Sequence, residues 1–497
     1  MGRGAHTAMA MAALALPVLL TGAAPAWTAT KAPLPADAAA SDPLAGIWDV
    51  SCLSATTCAA AGYYTDVAGD RQVLLLTGHG SRRTAARAPL PAGAAGGSGT
   101  GSPGPTVAAV ACLSGSACLA VGDYTDSSGH LQGLLLSGFG SAWTATRAPL
   151  PGDAATNPDA VLSGVACPSA TGCVVTGYYT GGGSPEHQHG LLLAGHGSSW
   201  TAIRAPLPAA APRAVGPDAA VGPDAAVGPA AAAPIAAAPI AAAGGSGNAG
   251  LWDVACPSST VCVAAGFYNR HGLLLTGHGS SWTAIQAPLP AQAAANSQAD
   301  LDHVTCPSTA TCVAAGDYDI KAHSADGLMV TGHGSSWTAA EVPLPAGAGG
   351  RSDPGITGVS CGSAIACAAA GYYTDSAGQE QGLLLTGHGS SWTATRAPRP
   401  RGARPGAYLT GVSCPAAAAC VAVGYYTDSS GHRQGLLLER RGSSWTARTA
   451  PRPAGAATDP SAYITGVACT SITACLAAGA YTDSSGHGQG LLLPGPG

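Results

Sequence analysis

The residues best suited to bind something recur in eight loops of this chain. The most regular copy, "YYTDSSGH" at Tyr425–His432, gathers two aromatic rings, a carboxylate and an imidazole. Its second aromatic position is Tyr in every copy: Tyr64, Tyr124, Tyr179, Tyr268, Tyr318, Tyr373, Tyr426 and Tyr481. Asp66, Asp126, Asp375, Asp428 and Asp483 follow two residues later. Tyr faces beside carboxylates suit a sugar or a peptide, so these positions are candidate binding residues. A structural reading stands beside it. Asp at a turn start accepts backbone hydrogen bonds, Gly beyond it supplies a positive φ, and the Tyr packs between neighbouring units. One Asp per loop is too few for a calcium cage. No metal and no cofactor is expected.

All sixteen cysteines fall in pairs with five residues between. The pairs are Cys52 with Cys58, Cys112 with Cys118, Cys167 with Cys173, and Cys256 with Cys262. Cys306 with Cys312, Cys361 with Cys367, Cys414 with Cys420, and Cys469 with Cys475 complete the set. One local pairing repeated eight times is the simplest framework and predicts eight disulfides. Zinc, the rival, wants two-residue spacings or clustered His partners, and neither is present. Each bridge closes a loop of about seven residues, worth roughly 2 kcal/mol in the chain-entropy account.

Other reactive types are weaker. "GHG" repeats His79, His196, His278, His333 and His388 at one position, but equivalent positions of a ring lie too far apart to share an ion. Trp143, Trp200, Trp282, Trp337, Trp392 and Trp445 begin the fourth segment of six repeats and read as packing between neighbours. The four Glu residues, Glu186, Glu341, Glu380 and Glu439, occupy unrelated repeat positions and nominate no acid–base pair. No phosphate loop, nucleophile elbow or metalloprotease helix occurs, so no catalytic residue is named.

The elements that must carry these residues are short strands. In Tyr408–Pro453, four extended runs of four to seven residues are separated by Gly, Pro, Ser and Asp turns. No window shows a capped helical period. Four antiparallel strands in about 50 residues, repeated eight times, match propeller blades. Successive Cys pairs start 60, 55, 89, 50, 55, 53 and 55 residues apart. The outlier holds an Ala/Pro/Gly-rich low-complexity insert, Ala209–Gly250, with no core of its own expected.

The last repeat stops at "GLLLPGPG" without a fourth segment, whereas "WTATKAPLP" at Trp27–Pro35 is a fourth segment without a repeat before it. Pairing the two ends closes a ring and removes exposed sheet edges. The expectation is an all-β, single closed β-propeller over residues 27–497, of eight four-stranded blades with the last completed by the N-terminal strand. A seven-bladed ring or a β-solenoid is the alternative. Alternate turns then emerge at opposite ends. The Cys-bridged and "GHGSS" turns share one face, while the "YTDSSGH" loops, the "APLP" connections and the Ala209–Gly250 insert share the other, which is the expected binding face.

The turn "TGHGSSWTA" at Thr386–Ala394 resembles the second half of the Asp-box of sialidase-like propellers, through Gly389, Ser391 and Trp392. Gly387 stands where that motif has its aspartate. The resemblance spans about five residues per repeat and implies a propeller. It carries over no sialidase chemistry, because the arginine cluster and paired carboxylates have no counterpart.

Bulk properties narrow the partner. A formal charge of −5 argues against nucleic acid, although "RAPRPRGARP" at Arg396–Pro405 is locally basic and reads as a solvated loop. Residues 1–26 look like a secretion signal: a charged start, an apolar core at Ala8–Leu20, and "APA" before Trp27. No later stretch reaches ~18 apolar residues free of turn formers, so no transmembrane segment is expected. The Ala- and Gly-rich composition resembles that of actinobacterial secreted proteins. The expected protein is an exported, monomeric, non-catalytic propeller, free or held at the cell wall, binding a glycan, peptide or protein. The alternative is a secreted glycan-processing hydrolase or lyase with its site in the central channel.

Overall fold

A computed structural model describes residues 26–79, 82–95, 104–183, 186–208, 248–294, 297–321, 324–350 and 352–495. The described chain is all-β and forms an eight-bladed propeller of four-stranded antiparallel sheets. The innermost strands of blades 1 to 8 are Gly46–Cys52, Thr106–Ser114, Val161–Ser169, Ala249–Ser258, Ala299–Ser308, Gly355–Ser363, Ala407–Ala416 and Tyr463–Ser471. The candidate leader lies outside the described residues except for Ala26. So does the insert as far as residue 247, while its last two residues, Ala249 and Gly250, already belong to the inner strand of blade 4.

Ring closure follows the register of the two chain ends. Thr30 pairs with Leu492 and Lys31 with Leu491, beside the strand Gly488–Pro494. The Thr28 N–H donates to the Pro494 carbonyl at 3.2 Å, and the Ala32 N–H to the Gly490 carbonyl at 2.8 Å. Only Thr30–Lys31 is regular strand, yet it makes blade 8 four-stranded.

The core lies between blades, not within them. The third strand of each blade carries an apolar triplet such as Leu134–Leu136, buried on both faces, which explains its unbroken apolar run. Leu134 and Leu136 pack with Leu75 of blade 1, while Leu135 packs with Leu191 and Leu193 of blade 3.

The cysteine framework takes the local form that the spacing predicts. Cys52 is bonded to Cys58, Cys112 to Cys118, Cys167 to Cys173, and Cys256 to Cys262. Cys306 is bonded to Cys312, Cys361 to Cys367, Cys414 to Cys420, and Cys469 to Cys475. Each bridge ties the end of an inner strand to the start of the next, and no cysteine is free among the described residues. The second cysteine of each pair (Cys58, Cys118, Cys173, Cys262, Cys312, Cys367, Cys420 and Cys475) is buried. The bridges therefore serve the fold and leave no thiol for chemistry.

Every inner strand carries a bulge, at Trp48 in blade 1 and at the equivalent residue elsewhere. Two residues there face one, and the extra side chain is re-aimed. Gly62 faces the bulge of blade 1 because a Cβ there would meet the Gly46 carbonyl at 2.0 Å. The re-aimed residues stitch the ring. Thr357, Thr410 and Thr465 donate their hydroxyls to carbonyls of the next inner strand, Leu409, Ile464 and Ile47, at 2.9, 2.7 and 2.7 Å. One residue on, Asp49 accepts the Val110 N–H at 2.8 Å and Asp253 accepts that of Val304 at 2.9 Å.

Candidate functional site: the inner rim of the loop face

The repeated loops place their Tyr and Asp in fixed surroundings. Tyr64, Tyr124, Tyr179, Tyr318, Tyr373, Tyr426 and Tyr481 are all buried between blades. Tyr268 is half-buried and donates its hydroxyl to Gln286 Oε1 at 2.9 Å. Its loop is a two-residue turn, with Asn269 and Arg270 both at positive φ, and has no Asp. In five other blades the Asp two residues after the Tyr organises the loop. Asp428 Oδ1 accepts the N–H groups of Ser430 and His432, while Oδ2 accepts the Gln434 amide at 2.8 Å. Asp66, Asp126, Asp375 and Asp483 repeat the arrangement with Gln72, Gln132, Gln381 and Gln489.

In two blades the Tyr hydroxyl joins a clasp to the preceding connection. Tyr64 donates to Asp37 at 2.8 Å, and Arg87 pairs with the other Asp37 oxygen at 2.8 Å. Tyr179, Asp153 and Arg204 repeat it in blade 3, at 2.6 and 2.9 Å. Burial, then the Asp partner, pushes both phenols well above the usual tyrosine range. Asp66 feels the opposite. Burial would raise its pKa, but backbone N–H groups of Asp70 and Ala68, the Gln72 amide and Arg87 hold it below the usual value. The five loop aspartates and the hydroxyls of Tyr64, Tyr179, Tyr268 and Tyr426 thus bond within the fold.

The first aromatic position of the doublet behaves differently. Tyr63, Asp123, Tyr178, Phe267, Asp317, Tyr372, Tyr425 and Ala480 each pair in register with an inner-strand residue at the loop-face end. These partners are Gly46, Thr106, Val161, Gly250, Asp300, Gly355, Tyr408 and Tyr463. In blades 1, 4, 6 and 8 a large ring faces Gly or Ala, whereas Tyr408 and Tyr425 of blade 7 stack face to face. A Cβ at Gly46 would come within 2.8 Å of the Tyr63 ring, and one at Gly355 within 2.5 Å of Tyr372. The glycines let those rings lean over the inner strand. Where the inner strand supplies Tyr463, the partner is Ala480.

The result is a rim of aromatic faces, partly open to solvent. Trp48, 42% exposed, stands 5.3 Å from Tyr63, centroid to centroid. Trp252 lies between Phe267, at 5.6 Å, and Tyr178, at 5.9 Å. Across blades 6 and 7, Tyr372, Tyr408 and Tyr425 stack at 4.8 and 5.4 Å. Arg71 covers Tyr63 and Arg433 covers Tyr425, at 4.2 and 4.6 Å.

Acidic groups interrupt the rim at blade 5. Asp300 accepts the Trp252 indole N–H on both oxygens at 2.9 Å. Burial, followed by repulsion from Asp300 and Asp317, pushes Asp302 up to about 7. Burial, then Asp300 and Asp319, brings Asp317 to about 6. Burial pushes the stitching Asp49 and Asp253 to about 6 against their backbone donors, and holds His303 down at about 4.

The remaining expected residues stay apart. His196, His278, His333 and His388 are exposed, each on its own blade; the side chain of His79 lies outside the described residues. Among the described residues no group of three or more His, Cys, Asp or Glu could hold a metal. Trp143, Trp200, Trp282, Trp337 and Trp392 donate their indole N–H to the turn glycine three residues back. Among the described residues no helix is long and apolar enough to cross a membrane.

No family model matches the chain, and no curated protein matches it by sequence. Solved structures resemble it in fold. The β-propeller domain of the Trilobed protease from Pyrococcus furiosus, 7% identical, aligns over 83% of this chain and 99% of that one, with a TM-score of 0.41. A lectin from Aleuria aurantia, in complex with alpha-methyl-L-fucoside, is 13% identical over 73% of this chain and 97% of its own, with a TM-score of 0.30. A Trypanosoma rangeli sialidase is 8% identical, with a TM-score of 0.36; 78% of this chain aligns, over 53% of the sialidase.

Proposed function

We propose that the protein is an exported, non-catalytic carbohydrate-binding propeller that takes a glycan on the inner rim of its loop face. The observation that carries the reading is the rim itself. Trp48, Trp252 and the Tyr372–Tyr408–Tyr425 stack offer ring faces at the channel mouth, interleaved with the carboxylates of blade 5. Sugar rings pack their C–H faces on such surfaces, while their hydroxyls hydrogen-bond to carboxylates. Eight disulfides suit an oxidising compartment outside the cytoplasm.

Calorimetric titration against glycans selected on an array tests the reading. Trp48→Ala or Tyr408→Ala is expected to weaken binding about tenfold, roughly 1.4 kcal/mol. Unfolding of the Trp48 variant should be little changed, since that ring is 42% exposed, while the half-buried Tyr408 loses two stacking partners. Unchanged affinity in both removes the rim as the site.

One observation favours a glycan-processing hydrolase instead. Asp302, brought to about 7, is a carboxyl group that stays protonated near neutrality beside a second carboxylate, as a general acid requires. Release of reducing sugar, abolished by Asp302→Asn, would establish that reading and displace the non-catalytic one.

A further inference from the structure

The loop face is electrically lopsided. Blade 5 and its seams carry Asp300, Asp302, Asp317, Asp319, Asp326 and Glu341, whereas the segment Arg396–Arg404 and the rim residue Arg433 make blades 6 and 7 basic. The difference has a local cause. In blades 1 and 3 the arginine that ends the fourth strand is neutralised by an aspartate of the preceding connection, Arg87 by Asp37 and Arg204 by Asp153. In blade 6 the position of that aspartate holds glycine, Gly347, as it does in blades 2, 7 and 8 (Gly93, Gly402 and Gly455), while the fourth strand of blade 7 ends on Thr449. Arg396 ends the fourth strand of blade 6 with no clasp aspartate; it donates to Gln381 Oε1 at 2.6 Å and feels the Asp375 carboxylate without a direct ion pair.

The connection between blades 6 and 7 adds further guanidinium groups and fixes them. Arg399 Nη1 donates to the Arg404 carbonyl, and Arg404 Nε and Nη2 donate to the Ser429 carbonyl at 3.3 and 3.2 Å. These bonds are to neutral backbone oxygens. Each guanidinium has five N–H donors, so most remain free. Among the described residues none of Arg396, Arg399, Arg404 and Arg433 makes an ion pair with a carboxylate. The nearby acids are otherwise engaged: Asp375 and Asp428 hold their own loops and bond Gln381 and Gln434. Glu380, at the start of its strand, and Asp353, in the connection into blade 6, are further carboxylates of this sector; Glu380 acts on Tyr372, Tyr408 and Tyr425, against Arg433 on Tyr425.

From this juxtaposition we infer that the glycan is acidic: the basic sector of blades 6 and 7 binds the anionic groups of a polysaccharide whose sugar rings rest on Tyr372, Tyr408 and Tyr425. The inference rests on the glycan-binding reading and narrows its ligand class. Arg433 lies over the Tyr425 ring, so charge and stacking surface meet at one place. Arg404 hydrogen-bonds Ser429 of the loop that leads into Arg433, and Arg399 lies near enough to Arg396 for the two positive charges to repel. The acidic blade 5 next door repels the same polymer and so sets where it can lie.

The test compares four polymers: polygalacturonate for carboxylates, a glycerol-phosphate polymer for phosphates, a neutral β-glucan, and duplex DNA. Polygalacturonate or the phosphate polymer is expected to bind, with affinity falling about tenfold or more between roughly 50 and 300 mM NaCl. The triple variant Arg399→Gln, Arg404→Gln, Arg433→Gln should lose about tenfold or more at the lower salt and most of its salt dependence. The matching Lys triple should keep its affinity within about threefold, which separates charge from folding. Binding confined to the neutral glucan overturns the acidic selectivity and leaves the rim reading in place. DNA binding of equal strength and salt slope also overturns it, by showing a general polyanion patch. Silence toward every polysaccharide overturns both.

Discussion

The indole Nε1 of Trp27 donates a 2.7 Å hydrogen bond to Glu439 Oε1, joining residues 412 apart in sequence. In five other blades the equivalent tryptophan bonds the glycine of its own hairpin turn. Trp27 belongs to a strand that arrives from the far end of the chain, with no hairpin joining it to Gly488–Pro494. Its acceptor must come from a neighbour. The position of Glu439 is Thr77, Ser137, Ala194, Thr276, Thr331 or Thr386 in blades 1 to 6, so the carboxylate stands only beside the seam. Trp27 is itself buried with Val421, Leu437 and Leu491.

This latch should dominate ring stability. Trp27→Ala is expected to cost about 3–5 kcal/mol, as for a buried aromatic. Glu439→Thr should cost about 1–3 kcal/mol by leaving the indole N–H unpaired. Urea unfolding measures both; Thr386→Glu, the reverse change one blade earlier, should not compensate. A Trp27→Ala protein as stable as the parent would show that the seam closes without it.

The clasp of blades 1 and 3 is incomplete in blade 5, and that can be repaired. There Gln292 occupies the Asp37 position, Glu341 occupies that of Arg87, and the buried Tyr318 hydroxyl has no partner among the described residues. Burial, then Glu341 and Asp326, pushes that phenol up to about 12. The double substitution Gln292→Asp, Glu341→Arg is expected to stabilise by about 1 kcal/mol, through one hydrogen bond and an exposed pair. A loss of stability in urea would mean that Tyr318 cannot reach the new carboxylate.

Stability should rise on mild acidification. Asp49, Asp253 and Asp317 sit at about 6 and Asp302 at about 7, against an ordinary 3.8. Ionisation therefore costs the folded state more than the unfolded one. Their contribution is full below about 3.8 and is lost as pH rises through 6 to 7. Asp49 and Asp253, enclosed at the seams, should each be worth on the order of 1–3 kcal/mol. His303, held at about 4, opposes them as pH falls from 6.5, and the loop aspartates held low lose their contribution below about 3.8. The melting temperature should accordingly be highest between about pH 4 and 6. A maximum near pH ~8 would contradict this balance.

Peptide mapping without reduction should recover eight bridges, each between cysteines six apart in sequence, and no mixed pairing. Reduction should lower the unfolding midpoint without dispersing the sheets, because each bridge closes only a short loop at the end of one hairpin. Scrambled pairs in a freshly folded sample, such as Cys58 joined to Cys112, would count against local closure.

Blade count, disulfides and seam could all be read from spacing, because each repeats a local pattern whose phase is visible in the letters. The rim could not. Tyr63 and Tyr64 differ by one residue, and strand alternation says only that they face opposite ways. In a propeller both faces are covered by neighbours. Which of the two reaches the channel mouth depends on pairing with Gly46 and on the bulge at Trp48. The Tyr64 position is constant in all eight blades and is buried in seven of them. The varied position beside it, Tyr63 to Ala480, is where blades differ. The pairing of a ring with glycine, as in Gly46 with Tyr63, was the available signal.

That pairing also gives the molecule a modular palette. Each rim station is written by two letters, one on the innermost strand and one on its neighbour, whose combined bulk is what the scaffold must accommodate. Gly with Tyr, Tyr with Ala, Thr with Asp and Asp with Asp already coexist in one ring. The chemistry that the rim presents can thus be rewritten one station at a time while the interblade leucines remain untouched.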